Sequence, residues 1–263
     1  MNRFALAAWT LWQREVVRFY RQKSRVIGAV LPPVIFWFLI GSGLGGSFRH
    51  GFQPGAESMN YLEYFFPGTI VMIVLFTAVF STISIIEDRR EGFLQSVLVA
   101  PVSRNSIVMG KILGGATLAF AQALIFLCAA PFLSTSVTLG SLIYVLVILF
   151  ATAFGLTGLG FIMAWRMDST QGFHSIMNLF LMPMWFLSGS LFPVDSAPRW
   201  LKAAMLADPL TYSVAALRHG LYAGGMSAIP SLPSPVVCLL VTVGFCILTF
   251  AVSSIVCARR EIG

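Results

Sequence analysis

The densest group of titratable side chains in the chain is Glu87-Asp88-Arg89-Arg90-Glu91, closed by Gly92. It follows an apolar run without a spacer. Each Asp or Arg at mid-membrane costs about 2.5–3.5 kcal/mol on insertion scales, so this cluster must end a membrane-spanning segment. Phe93, Leu94, Val97 and Leu98 then recur at helical spacing until Pro101 stops the helix. The result is a short amphipathic helix with an apolar face that its own loop does not cover. Such a face either rests on lipid or plugs into a groove on another protein. Patterns for other chemistry are missing. Gly41–Gly46 lacks the lysine of a phosphate-binding loop, and Gly110-Lys111 is followed by Ile112. There is no H-E-x-x-H, no G-x-S-x-G and no metal-spaced Cys/His set. The chain is therefore expected to bind no cofactor or metal and to be no enzyme by itself.

Two other groups have positions that matter. Arg14, Arg18, Arg21 and Arg25 fall on one face of a helix over residues 1–25, with Trp9, Trp12, Val16 and Phe19 gathered on the other. This predicts an interfacial helix anchored by those tryptophans and arginines, which could also brace a partner subunit. Further along, His174, Asn178, Met182, Trp185 and Gly189 share a face, with Ser188 beside them, and Thr77, Ser81 and Ser84 share another. Mildly polar side chains in a membrane turn toward protein or a cavity, so these are the candidates for a substrate path.

The elements that must hold these residues follow from composition. Of 263 residues, 57% are hydrophobic and 10% charged, and mean hydropathy is +0.85. Soluble domains carry roughly 25% charged residues, so a water-facing globule is excluded and a polytopic, all-α membrane protein remains. Six runs are long enough to span: Val26–Leu44, Pro67–Ile86, Ile112–Leu133, Leu139–Ala164, Phe173–Phe192 and Val236–Ala258. None of the six contains Asp, Glu, Lys or Arg, which argues against an ion-driven carrier and for energy arriving from outside the membrane. Thirteen of the basic residues flank one side and four (Arg49, Arg199, Lys202, Arg218) the other, which places both termini in the cytoplasm. The net charge of +7 is thus read as orientation and contact with anionic lipid, not nucleic-acid binding. Residues 194–222 are too polar to cross and read as short external interfacial helices. Gly110 with Gly114, and Gly155, Gly158 and Gly160, mark close helix packing. The four cysteines lie in or at the end of apolar runs as small hydrophobes, and the N-terminus lacks the pattern of a cleavable signal.

The segments Glu87–Ser103 with Gly110-Lys111, and Phe186–Arg218, are the most specific parts of a similarity that covers essentially the whole chain. It resembles the membrane permease subunits of the type-2 export branch of ATP-binding-cassette (ABC) transporters, the drug, lipo-oligosaccharide and polysaccharide exporters. The resemblance implies that Glu87–Leu98 is the coupling helix within a cytoplasmic segment 87–103, that residues 1–25 are the connecting helix and that 194–222 are the external helices. It further implies a homodimer or heterodimer of six-span subunits in the cytoplasmic (inner) membrane. Separate ATPase subunits would bind ATP and magnesium, and spans two and five would form a path at the dimer axis. On this reading the chain is one permease domain, 1–263, that exports an amphipathic molecule, since no charged side chain lines the path. An ATP-independent facilitator is the alternative, followed by a membrane enzyme acting on lipid or haem precursors around His174, Arg166 and Asp168. Glu87→Ala or Leu94→Asp is expected to uncouple hydrolysis from transport.

Overall fold

Apolar runs with no alternating pattern have only one way to satisfy their backbone in hydrocarbon, and they fold as helices. A computed structural model describes residues 3–21, 23–43, 60–133, 135, 137–222 and 233–259. Among the described residues there are eleven α-helices and no strand. They are α1 (Arg3–Arg21), α2 (Lys23–Gly43), α3 (Tyr61–Ser81), α4 (Ile83–Arg90), α5 (Phe93–Val99), α6 (Arg104–Leu127), α7 (Leu139–Arg166), α8 (Thr170–Leu187), α9 (Arg199–Ala207), α10 (Pro209–Leu221) and α11 (Pro235–Arg259). The side chains of Arg25 and Val26, and all of Leu44, lie outside the described residues.

Helix α3 is the axis of the subunit. Nearly all its side chains are buried, cased by α2, α6 and α7 with α8 and α10 beside them. It begins at Tyr61, six residues before the expected Pro67, because Asn60 and Glu63 close its first turn, the Glu63 carboxylate accepting from the Asn60 N–H at 3.3 Å. Pro67 therefore sits inside the helix, where it cannot donate to the Glu63 carbonyl. The Tyr222 hydroxyl donates to that carbonyl instead at 2.8 Å, and Arg218 reaches the neighbouring Tyr64 carbonyl at 3.4 Å. At its other end α3 runs on into α4, making a rod of 30 residues, Tyr61–Arg90. At 1.5 Å per residue that is about 45 Å against a hydrocarbon core of about 30 Å. The charged last turn of α4 thus stands clear of the apolar part of the rod.

Helix α11 shows what the protein's surroundings are. Its buried positions are Cys238, Thr242, Thr249, Ser253 and Cys257, while Val236, Leu240, Ile247, Leu248 and Ile255 are exposed. Small polar residues inward and large apolar residues outward is the arrangement a hydrocarbon solvent selects. Among the described residues four helical stretches are long and apolar enough to span: Tyr61–Arg90, Arg104–Phe132, Leu139–Arg166 and Pro235–Arg259. The other two expected spans fall short of that measure among the described residues. In α2 the apolar stretch is Val30–Gly43. In α8 the first turns carry Gln171, His174, Ser175 and Asn178, and the helix stops at Leu187, five residues short of Phe192, because Gly189 turns left-handed (φ 75°). Within 194–222, α9 keeps the expected surface character, with Trp200 exposed. Helix α10 does not: it is buried on most faces, against α7 and α11.

Candidate functional site

The charge cluster folds into a collar that joins three helices. Glu87–Arg90 are the last turn of α4, and Gly92, with φ 76°, makes the elbow into α5. The separate helix over the expected Glu87–Leu98 is therefore only Phe93–Val99, and the charges belong to the rod behind it. Asp88 is fully buried. It accepts two bonds from Arg14, at 2.9 and 2.7 Å, one from Arg18 at 2.6 Å, and one from Lys111. Lys111 also donates to Glu15 at 2.5 Å and to Ser84 at 3.4 Å. Arg18 continues to Glu87 at 2.9 Å and Glu91 at 3.3 Å. A lone buried carboxylate could not stay charged, whereas one held by three cations can. Burial lowers the pKa of the Arg14 guanidinium, but its bonds to Asp88 outweigh this and raise it above its ordinary value. Arg14 also lies 3.7 Å over the Phe93 ring, so the first residue of α5 is tied into the same joint.

The opposite side of α4 is fastened to α7. Arg89 donates to the carbonyls of Trp165 at 2.6 Å and Met167 at 2.9 Å and to the Asp168 carboxylate at 2.8 Å. Arg90 donates to the Asp168 carbonyl at 3.0 Å. These are the carbonyls a helix C-terminus leaves without partners, and arginine is suited to them. Asp168 is thus held by Arg89, and the His174 ring lies against Phe80 with ring centres 4.8 Å apart and the planes tilted by 43°.

The anchor residues of the N-terminal helix divide. Helix α1 lies along α6 at Gly110 and Gly114, where an added Cβ would meet Leu11 at 2.8 Å and Glu15 at 2.6 Å. Trp12 donates to the Thr117 hydroxyl at 3.0 Å, and Arg14 and Arg18 face the collar; only Trp9 and Arg21 among the described anchors are exposed. The stripe that packs is Ala8, Leu11, Glu15 and Phe19. On α5, Leu94 points inward, Phe93, Val97 and Leu98 are half-buried, and Val99, Ala100 and Pro101 are exposed. A shallow apolar groove of about 430 Å³ separates α5 from α1, lined by Leu6, Thr10, Phe93, Val97 and Pro101.

Four of the eight path candidates come together. Thr77, Ser81, His174 and Met182 line one apolar pocket of about 420 Å³ with Phe76 and Phe36, between α2, α3 and α8. Ser84 belongs to the collar. Asn178 is exposed. Trp185 is buried and donates to the Gly68 carbonyl at 2.9 Å, and Ser188 bonds the Trp185 carbonyl and Ser190, each at 2.6 Å. Sequence reasoning missed Glu15, and it met Lys111 only within the Gly110-Lys111 similarity, without its partners Glu15 and Asp88. Glu15 is the single acid among residues 1–25, and Lys111 the single cation at the start of the third apolar run. Both were legible as exceptions.

A helical bundle with its apolar side outward and a charged joint at one end defines a polytopic membrane protein. Residues 7–222 match the family model for the ABC-2 type transporter, so the chain belongs to that family. It is similar to the transport permease ycf38 of Cyanophora paradoxa, 28% identical over 82% of this chain and 74% of that one. It is similar to nodulation protein J of Rhizobium leguminosarum bv. viciae, 26% identical over 91% of each. It also resembles the daunorubicin resistance ABC transporter permease protein DrrB1 of Streptomyces coeruleorubidus, 24% identical over 80% and 72%. The chain is the transmembrane subunit of an ABC exporter, and permeases of this family work with ABC ATPase partners.

Proposed function

We infer that a dimer of this chain, each copy crossing the cytoplasmic membrane six times with both termini inside, exports an amphipathic molecule. It draws its energy from separate ATPase subunits that hold ATP and magnesium; the chain itself is non-catalytic. The observation that carries this reading is the collar. Helix α5 is fastened through Gly92, Arg14–Phe93 and Asp88 to the rod α3–α4, to α1 and to α6. A push on α5 from the cytoplasm therefore reaches the wall of the pocket without passing through a flexible link. Closing ATPases would move the joint as a rigid body, a change of the kind packed helices undergo between two states. The mostly apolar lining suits a lipid-linked molecule, a glycolipid or a hydrophobic drug.

The docking residues differ from those the helical rhythm singles out. Leu94 is an inward prop, so Leu94→Asp disturbs folding. The surface for the ATPase is Gln95, Ser96, Val99 and Ala100, all exposed. The test is co-purification with the ATPase encoded beside it, followed by reconstitution. ATP hydrolysis stimulated by cargo, and reduced several-fold in stimulation by Val99→Asp while the complex still inserts, is the expected result. Cargo movement in vesicles lacking any ATPase would overturn it.

A further inference from the structure

The buried hydroxyl of Thr77, like that of Ser253 on α11, bonds a neighbouring helix rather than its own. Thr69 and Thr157 bond back to their own helix carbonyls at 3.1 and 2.7 Å, and Thr152 does so at 2.7 Å while also reaching the Ser213 hydroxyl at 2.9 Å. Ser81, also in the pocket wall, donates to the Ala78 carbonyl at 2.7 Å. Thr77 turns from its backbone toward the Gln122 side chain on α6, in a short hydrogen bond with Oε1. Both residues are almost wholly buried, and the Gln122 amide nitrogen has no partner among the described residues. An unpaired NH₂ is a costly thing to keep in a dry interior, and orphaned N–H groups are rarer than orphaned carbonyl oxygens. A half-turn of the amide about its last torsion exchanges the two atoms and moves nothing else. The nitrogen then donates to the Thr77 oxygen, and the bare atom is a carbonyl. In that arrangement the Thr77 proton no longer has Gln122 as its acceptor, and Thr77 is one of the residues lining the pocket.

We propose that Gln122 is a specificity-determining positioning residue: it fills the lone pair of Thr77 so that the threonine offers a hydrogen-bond donor, selecting cargo with a neutral acceptor such as an ester, amide or ketone carbonyl. The inference rests on the pocket being the cargo site. It deepens that reading because the remaining lining is apolar apart from His174 and Ser81, whose hydroxyl donates to the Ala78 carbonyl. Nothing in it requires that Gln122 touch the cargo.

The test compares tritiated 9-fluorenone with tritiated fluorene, flat molecules of nearly the same shape that differ by one carbonyl, on the full-length chain in nanodiscs, with partition into empty nanodiscs subtracted. The wild type is expected to favour fluorenone about fivefold, the equivalent of one net hydrogen bond. Thr77→Val, which keeps the shape, and Gln122→Leu should each bring the ratio to about one with fluorene binding kept, and Thr77→Ser should retain the preference. A wild-type ratio near one, or a preference that survives Thr77→Val and Gln122→Leu, overturns the proposal. Met182→Trp, which fills the cavity, separates the two levels. Loss of both probes there upholds the pocket whatever the ratio does, whereas unchanged binding of both removes the pocket as the site and this proposal with it.

Discussion

Removing the Asp88 carboxylate tests whether the collar is one unit. Asp88 is wholly buried and held by Arg14, Arg18 and Lys111. The two arginine side chains are 30% and 20% exposed, so after Asp88→Ala they can turn to water, but Lys111 is 4% exposed and keeps Glu15, at 2.5 Å, as its one counter-charge, with the Ser84 hydroxyl at 3.4 Å. Breaking a buried pair by deleting one partner costs about 3–5 kcal/mol. With Glu15 still in place, about 3 kcal/mol is expected for Asp88→Ala. Lys111→Met leaves Glu15 with Arg14 at 3.4 Å and leaves Asp88 its two arginines, so about 2 kcal/mol is expected. In the double variant Lys111 is no longer stranded, and Arg14 is released to Glu15. The combined loss should fall short of the sum by about 2 kcal/mol, within the range for residues in one network. The assay is reversible unfolding of the purified chain in mixed micelles by SDS titration, followed by tryptophan fluorescence. Losses that add to within about 0.5 kcal/mol would refute the argument, since that is how independent sites behave.

Gly92→Ala should destabilise by about 1–2 kcal/mol through its left-handed φ alone, because an added Cβ meets nothing within 4 Å; a wild-type SDS midpoint would mean that the elbow can relax. Tyr222→Phe removes the hydroxyl that satisfies the Glu63 carbonyl beside Pro67, and should cost about 1–2 kcal/mol in the same assay, falling to near zero in a Pro67→Ala background where the helix bond is restored. Asp208, at the start of α10, has its pKa pushed up to about 7 by burial, with the bond from the Leu210 N–H pulling the other way. The folded chain thus holds that proton more tightly than the unfolded one. The stabilisation is complete below about pH 4, the ordinary carboxylate range, and is lost as pH rises through 7. Melting temperature should fall between pH 6 and 8 in the wild type, and less steeply in Asp208→Asn, which still offers an oxygen to Leu210; equal slopes would contradict this.

The residues made some features plain and hid others. The helical class and the four long apolar stretches are legible because a hydrocarbon solvent demands long uninterrupted apolarity, which composition records directly. The C-terminal end of α8 is not legible, because Gly189 ends the helix through a left-handed backbone that, among the described glycines, only Gly92 shares. The charges of Glu87–Glu91 stood out, but not their partners. Asp88 meets Arg14 and Lys111 across 74 and 23 positions of chain, a pairing no local periodicity contains. For the same reason the arginines of α1 read as lipid contacts until α6 supplied, through Gly110 and Gly114, a bed close enough for Glu15 to reach Lys111. An apolar stripe marks the side of a helix that faces partners in general, and on α5 the collar takes Phe93 from that stripe while Leu94 is buried.

In the proposed mechanism α5 is where the ATPase grips. Val99 and Trp200 are both strongly exposed, at 81% and 73%, on α5 and α9. Single cysteines at the two positions, each in a background lacking the native cysteines, can be treated with a short bifunctional thiol crosslinker in the intact permease–ATPase complex. Val99→Cys is expected to crosslink to the ATPase and Trp200→Cys is not. An ATPase crosslink from Trp200→Cys with none from Val99→Cys would contradict both the grip and the orientation of the chain.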